Sequence, residues 1–146
     1  MEKKDKELRQ DMTQRGVVLA TTLGVIFDPA KRKILIGKRV HDPYIKNKWC
    51  FPGARLEYGE DLERSLEAVV KKKTGLEVKS LGSVFSKILE EDKKFLLMYF
   101  LCEAVGGEER PSEEFSELKW VDPDEIESHF SDSFDSRLKE YILGLK

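Results

Sequence analysis

The chain has few cysteines, and this scarcity excludes several kinds of site. Only two, Cys50 and Cys102, occur in 146 residues, and their spacing matches neither a zinc site nor a redox pair. We interpret both as buried free thiols rather than as a disulfide, because unpaired cysteine behaves as a small hydrophobe. Free thiols favour a reducing compartment.

Long apolar runs are also missing. The longest apolar-rich segment, residues 17–27, is interrupted by Thr21, Thr22 and Gly24. It is far shorter than the roughly 20 residues that a membrane-spanning helix requires. The first ten residues carry mixed charges where a secretory signal would be apolar. We therefore expect a cytoplasmic protein that does not insert into membranes.

An excess of charge of either sign is absent as well. The formal net charge is −2, so the whole-molecule field gives no long-range attraction to a nucleic-acid backbone, although a local basic cluster remains open. The length and the 40% hydrophobic content fit one domain with its own core. Residues 1–14 are polar without an apolar face, and we interpret them as a tail, either frayed or a short solvated helix, before a single domain at 15–146.

The residue pattern of this domain predicts strands, an internal helix, further strands and terminal helices. The nearly continuous apolar run at 95–101 predicts a central strand that is covered on both faces. Elements in this order predict an α+β fold with helices layered on a sheet. The predicted strands span residues 17–27, 34–39, 76–88, 94–104 and 118–121.

Capping residues bound the internal helix. Asp61 is a candidate N-cap, and Gly75 is a candidate for the left-handed residue after the last turn. Asp122 before Pro123 has the form of another helix start, with Asp122 as its cap, and residues 134–145 form a last amphipathic stretch. Apolar residues at helical spacing inside the first of these helices are Leu62, Leu66 and Val69 or Val70.

The segment around this helix carries a family motif. It reads Trp-Cys-Phe-Pro-Gly at 49–53, Glu-Tyr-Gly-Glu at 57–60 and Thr-Gly-Leu at 74–76, and it resembles the Nudix box G-x5-E-x7-R-E-U-x-E-E-x-G-U, where U is aliphatic. The order of strands and the stretch at 120–126 match that family too, so the resemblance covers residues 16–130. It implies an α/β/α sandwich with a mixed sheet, and a hydrolase acting on diphosphate bonds of nucleoside-diphosphate derivatives with Mg²⁺ or Mn²⁺.

The reactive positions of the motif differ from the family pattern. If Glu60 is the first motif glutamate, then Ala68 replaces the arginine, and Val69, Lys72 and Lys73 replace three glutamates. In the family pattern those carboxylates share one helix face and hold a hard cation that activates water. At these three positions the formal charge is −3 in the family pattern and +2 in this chain. We therefore expect weak or no metal-dependent hydrolysis, and the absence of any bound metal is left open.

Two interpretations of the lysines remain open. Lysines in a last helical turn complement the helix dipole and need no function. Alternatively, Lys72 and Lys73 take the place of the metal and bind the phosphates of a nucleotide or other diphosphate-containing small molecule. The resemblance adds Arg39 and Arg55 as residues that face this ligand.

A second hypothesis is an active hydrolase with a rebuilt acidic site. Glu57 and Glu60 match acidic positions of the family pattern and are the candidate metal ligands, with Glu60 also the candidate catalytic residue. Glu114 or Glu117 would complete the set, because family members often carry a further acid before the last strand. Charged faces are, however, usually only solvated.

The third hypothesis is a protein-interaction module that uses the C-terminal helix or a sheet face, and a homodimer is left open. Trp49 is interpreted as a packing anchor rather than a base-stacking platform, because large aromatic side chains chiefly supply buried area. His41 and His129 have no partner at a recognisable spacing and are interpreted as incidental.

Overall fold

The computed structural model describes residues 2–39, 48–89, 92–130 and 134–146. His41 lies outside these residues. The helices are α1 (Glu2–Arg15), α2 (Leu62–Thr74), α3 (Ile126–His129, preceded by a 3₁₀ turn at Pro123–Glu125) and α4 (Ser136–Leu143). The strands are β1 (Leu19–Asp28), β2 (Lys33–Arg39), β3 (Lys48–Cys50), β4 (Gly53–Arg55), β5 (Leu76–Ile88), β6 (Phe95–Gly107) and β7 (Phe115–Val121).

The strands form one mixed sheet, in the order β3-β2-β1-β6-β5, with β4 paired to β1 and β7 paired to β2. The β1–β6 pair is parallel and the other pairs are antiparallel. The predicted hairpin between β1 and β2 is present, and the Asp28 carboxylate accepts a hydrogen bond from the Ala30 amide at 2.9 Å in its turn. The predicted mixed sheet is confirmed.

Successive residues of the central strands enter different cores, because side chains of a strand alternate between the two faces. Tyr99 of β6 packs with α3 and α4, whereas Phe100 packs with α2. The core on the α2 side includes Leu66 and Val70 from the helix, as the helical spacing predicted. The core on the other side is closed by Ile126, Leu138 and Ile142. This two-sided burial confirms the α/β/α sandwich and the covered position of β6.

Asp122 occupies the predicted N-cap position, with Pro123 at the start of the 3₁₀ turn, but in the part of the chain that the structure describes its side chain accepts no capping hydrogen bond. The Glu125 amide donates to the Asp122 carbonyl at 2.9 Å. At α4 the cap is Asp135, whose side chain accepts from the Arg137 amide at 2.9 Å. That backbone hydrogen bond lowers the pKa of Asp135.

The N-terminal residues form the helix α1, none of whose residues is buried, so of the two alternatives the structure has the solvated helix. Strand β1 begins at Leu19, later than predicted, and β7 begins at Phe115, earlier than predicted. Both cysteines are free thiols as expected, but only Cys102 is buried and Cys50 is half-buried. Within the described ranges, no helix has the length and apolar character needed to cross a membrane.

Candidate functional site

The helix α2 carries the candidate site, and its ends are held as the sequence predicts. The Asp61 carboxylate accepts the Arg64 amide at 2.9 Å. At the other end Gly75 has φ 83°, and its amide donates to the Lys71 carbonyl at 2.8 Å. A Cβ atom at Gly75 would lie 2.2 Å from the carbonyl oxygen of Glu108, so both the backbone angle and the space require glycine.

The three lysines of the last turn have different surroundings, because successive residues of a helix point about 100° apart. Lys71 forms an ion pair with Glu77 at 2.9 Å, and both side chains are exposed. Lys72 is exposed, and its side chain has no ion pair or hydrogen bond with any residue that the structure describes. Lys73 points inward and is only 17% exposed. The structure therefore separates Lys73 from the other two.

Lys73 lies between two oxygen acceptors. Its Nζ donates to the Gly53 carbonyl oxygen at 2.5 Å and lies 2.8 Å from Glu114 Oε2. Gly53 is fixed in β4 opposite Leu23 of β1, and a Cβ atom there would lie 2.1 Å from the Thr22 carbonyl oxygen. The Pro-Gly part of the motif thus lets β4 approach β1 closely, and its carbonyl meets the inward lysine of α2.

Glu114 connects Lys73 to a second cation. Its other carboxylate oxygen lies 2.8 Å from Arg39 Nη2, at the end of β2. The backbone at Glu114 is held on both sides, because the Ser112 amide donates to the Phe115 carbonyl at 2.9 Å and Ser112 Oγ accepts the Phe115 amide at 3.2 Å. Arg39, Lys73 and Glu114 together carry a formal charge of +1, from two cations and one carboxylate.

The other predicted site residues have different contacts. Glu60 Oε1 accepts the backbone amide of Glu57 at 2.8 Å, in a tight turn where Gly59 has φ 81°. Glu57 and Glu60 are both exposed. The guanidinium of Arg55 lies 5.4 Å from the centre of the Phe95 ring. The predicted site residues that the structure brings together are therefore Arg39, Lys73 and Glu114, with Glu57 and Glu60 joined to each other in their own turn.

Acidic residues group at a different place from the predicted one. Among the residues that the structure describes, the only group of three or more possible metal ligands within 4.8 Å of one another is Asp122, Asp124 and Glu125. Asp124 also forms an ion pair with Lys146 at 2.9 Å. No such group includes the four acids of the rebuilt-site hypothesis, which are Glu57, Glu60, Glu114 and Glu117.

The donor set at α2 does not fit the divalent cation that the resemblance implies. Mg²⁺ and Mn²⁺ require several oxygen ligands. Here the inward helix position carries an ammonium group, and that group already binds the Gly53 carbonyl and the Glu114 carboxylate. Val69 is half-buried and offers no oxygen from its side chain. A dication at this point would meet the Lys73 ammonium group, and the Glu114 carboxylate beside it is already paired with that group.

An aromatic cluster lies at β3. Trp49 is half-buried against the core on the α3 and α4 side, which favours its interpretation as a packing anchor. Its ring meets His129 edge to face at 6.0 Å, and the Lys38 ammonium lies 5.9 Å from its centre. Lys119 Nζ lies 3.2 Å from His129 Nε2, and His129 Nδ1 lies 2.9 Å from the Glu125 carbonyl oxygen. No residue spacing in the sequence indicates these contacts, because they join residues of different elements.

Comparison with known proteins agrees with this architecture. The chain is 30% identical to a "MutT-like protein" of Streptomyces ambofaciens over 98 residues, which cover 66% of this chain and 62% of that protein. It is 33% identical to an "ADP-ribose pyrophosphatase" of Methanocaldococcus jannaschii over 95 residues, covering 62% and 54%. The chain thus spans little more than half the length of these curated relatives.

A solved structure gives the same result for the fold. The crystal structure of a Nudix hydrolase from Nitrosomonas europaea superposes with a TM-score of 0.74 at 19% identity, over 87% of this chain and 71% of that chain. The family model for the NUDIX domain matches residues 18–142, which include every strand and the helix α2. From this match, the strand order and the motif at 49–76, the chain belongs to the Nudix family.

Proposed function

We propose that this Nudix domain binds a nucleotide or other diphosphate-containing small molecule without a divalent metal, and that its metal-dependent hydrolysis is weak or absent. The observation that carries the proposal is the position of Lys73. Its ammonium group binds the two kinds of oxygen, a backbone carbonyl and a carboxylate, that a hard cation would otherwise take. In this proposal, the positive charge that faces the ligand comes from the Lys73 side chain and not from a bound metal ion.

Several cations support binding of a phosphate-rich ligand. Lys73 has three N–H donors and uses two of them on Gly53 and Glu114, which leaves one for a phosphate oxygen. Lys72 precedes Lys73 in the same turn, is exposed, and has no ion pair within the described ranges. Lysine ammonium groups at one helix end are point charges of the kind that phosphates bind.

The choice of ligand rests on the family and on one relative. Because the chain is similar to a protein named ADP-ribose pyrophosphatase, ADP-ribose is the first ligand to test. Nucleoside diphosphates and nucleotide sugars follow, because each contains the diphosphate that the lysines would contact. The base and the sugar stay open within this proposal.

Isothermal titration calorimetry of ADP-ribose, ADP and UDP-glucose tests the proposal. We expect the same dissociation constant in EDTA and in excess MgCl₂, because the binding does not depend on a divalent metal. Lys73→Met and Lys72→Met are expected to weaken binding roughly tenfold each, the value of one lost charge-assisted contact. Lys71→Met is the matched control, because Lys71 lies in the same turn but pairs with Glu77.

The outcomes separate the hypotheses. Absence of binding to every ligand, or binding that requires Mg²⁺, contradicts the proposal. Release of phosphate or nucleotide above the buffer background with Mg²⁺ or Mn²⁺, abolished by Glu60→Gln, would support the rebuilt acidic site in its place. Glu60→Gln needs a fold control, because Glu60 also accepts the Glu57 amide.

The triple back-substitution Val69→Glu, Lys72→Glu and Lys73→Glu tests the same proposal from the opposite side. If metal-dependent hydrolysis appears only in the triple variant, the cleft is intact and the missing carboxylates account for the missing activity. Calorimetric titration with MgCl₂ provides a readout besides turnover, since only the variant is expected to bind the ion.

A further inference from the structure

We propose that Glu114 is a specificity-determining residue of this site, because its carboxylate holds the position between Arg39 and Lys73 that a ligand phosphate takes. The inference rests on the proposed function and adds that the Glu114 side chain opposes ligand binding. Each carboxylate oxygen of Glu114 meets a different cation, Arg39 Nη2 at 2.8 Å and Lys73 Nζ at 2.8 Å. A phosphate presents its oxygens to two cations in the same way.

The three side chains differ in their exposure to solvent. Lys73 is 17% exposed, Arg39 is 23% exposed and Glu114 is 36% exposed. Glu114 is therefore the most exposed of the three side chains, and its carboxylate lies between the two cations that an incoming anion would contact. The negative charge of the ligand and that of Glu114 repel each other, so the ligand must displace the carboxylate or bind beside it.

Displacement requires only rotation of one side chain. The backbone on both sides of Glu114 is fixed by the hydrogen bonds between Ser112 and Phe115, and the Phe115 side chain is fully buried. A Cβ atom at Gly37 would lie 2.6 Å from the Phe115 ring, so this ring packs directly onto β2. Since the anchor stays in place, Glu114 leaves the cations by rotating toward solvent, without opening of the strand pair.

The exchange selects ligands by charge. Rotation of the Glu114 carboxylate away from the two cations raises the net charge at this point by one unit. A ligand with a single negative charge only replaces the charge that Glu114 supplied. A diphosphate brings more than one negative charge and gains from both cations. The chain should therefore discriminate against monoanions such as a nucleoside phosphodiester.

The experiment compares Glu114→Gln with the natural chain by calorimetry, using ADP-ribose and inorganic pyrophosphate in EDTA. Glutamine has the same shape without the charge, so the fold is retained. We expect Glu114→Gln to bind both probes up to roughly 5-fold more tightly, since the ion pairs of Glu114 with Arg39 and Lys73 no longer have to be broken. Glu113→Gln is the matched control, because Glu113 is exposed, adjacent, and without an ion pair in the described part of the chain.

A double variant attributes the gain to the cations. Lys73→Met in the Glu114→Gln background is expected to lose the gain, because the freed cation is then absent. Equal or weaker binding by Glu114→Gln, when the natural chain binds, overturns the role of Glu114 and leaves the proposed function standing. Absence of binding by both chains overturns both proposals. Binding by Glu114→Gln alone supports the inference, since it shows that the carboxylate blocks the site.

Discussion

Replacing Lys73 by methionine removes one ammonium group and keeps most of the apolar stem. The stem methylenes continue to pack, so the change isolates the two polar contacts of Nζ. The contact with the Gly53 carbonyl, at 2.5 Å, is a charge-assisted hydrogen bond and contributes about 1.5–3 kcal/mol. The pair with Glu114 contributes at most about 0.5 kcal/mol, because Glu114 is 36% exposed and keeps Arg39.

Desolvation of the ammonium opposes these contributions. Lys73 is only 17% exposed, so methionine avoids part of the cost of removing a charge from water. We therefore expect a net loss of about 1–2 kcal/mol in the free energy of unfolding. For a domain of this size that corresponds to a melting temperature roughly 3–8 °C lower.

Differential scanning calorimetry at neutral pH measures this shift. Lys71→Met serves as the control and should change the melting temperature by less than about 2 °C, because Lys71 and Glu77 are 60% and 53% exposed. The same scans with Mg²⁺ and with EDTA should coincide for the natural chain, whereas a dication at 100 times its dissociation constant would add about 2.7 kcal/mol. A Lys73→Met variant as stable as the natural chain, or a clear stabilisation by Mg²⁺, would refute this reasoning.

Further predictions concern backbone strain and alkaline pH. Gly59→Ala should lower the free energy of unfolding by about 1 kcal/mol, because Gly59 has a positive φ of 81°. Gly75→Ala should lower it by clearly more: φ is 83° there as well, and a Cβ atom would also lie 2.2 Å from the Glu108 carbonyl oxygen. Equal melting temperatures of the two variants would contradict it. Burial raises the pKa of Cys102 from 9.0 to about 12 and that of Tyr99 from 10.0 to about 12. The contribution of these two neutral groups to stability is therefore fully present below about pH 9 and is lost toward pH 12, by up to about 1.4 kcal/mol per pH unit for each group. Urea denaturation at about pH 8, 9, 10 and 11 checks that the free energy of unfolding falls over this range.

Local signals explain why the helix α2 could be predicted closely. The capping bond of Asp61 and the left-handed Gly75 involve residues within a few positions of the helix ends, so the sequence itself contains both partners. The N-cap position of Asp122 could be predicted from the same kind of signal. The sequence did not show that a short 3₁₀ turn follows it, or that its side chain accepts no capping hydrogen bond from the residues that the structure describes.

Pairings between distant segments needed the tertiary structure. The strand-like runs of β1 and β6 were visible as patterns, yet nothing in either run indicates that they pair in parallel. The contacts of His129 with Trp49 and Lys119 likewise join residues of different elements, and an isolated histidine in a sequence carries no sign of them.

The sequence by itself determined that this is a Nudix domain whose helix carries Val69, Lys72 and Lys73 where the family pattern has carboxylates. It did not show that the three lysines of the last turn have different surroundings, because all three are expected there as partners of the helix dipole. The tertiary structure showed this difference. Of the three lysines, only Lys73 points inward from α2, and the pairing of β4 with β1 places the Gly53 carbonyl within its reach. Its ion-pair partner Glu114 comes from a distant part of the chain.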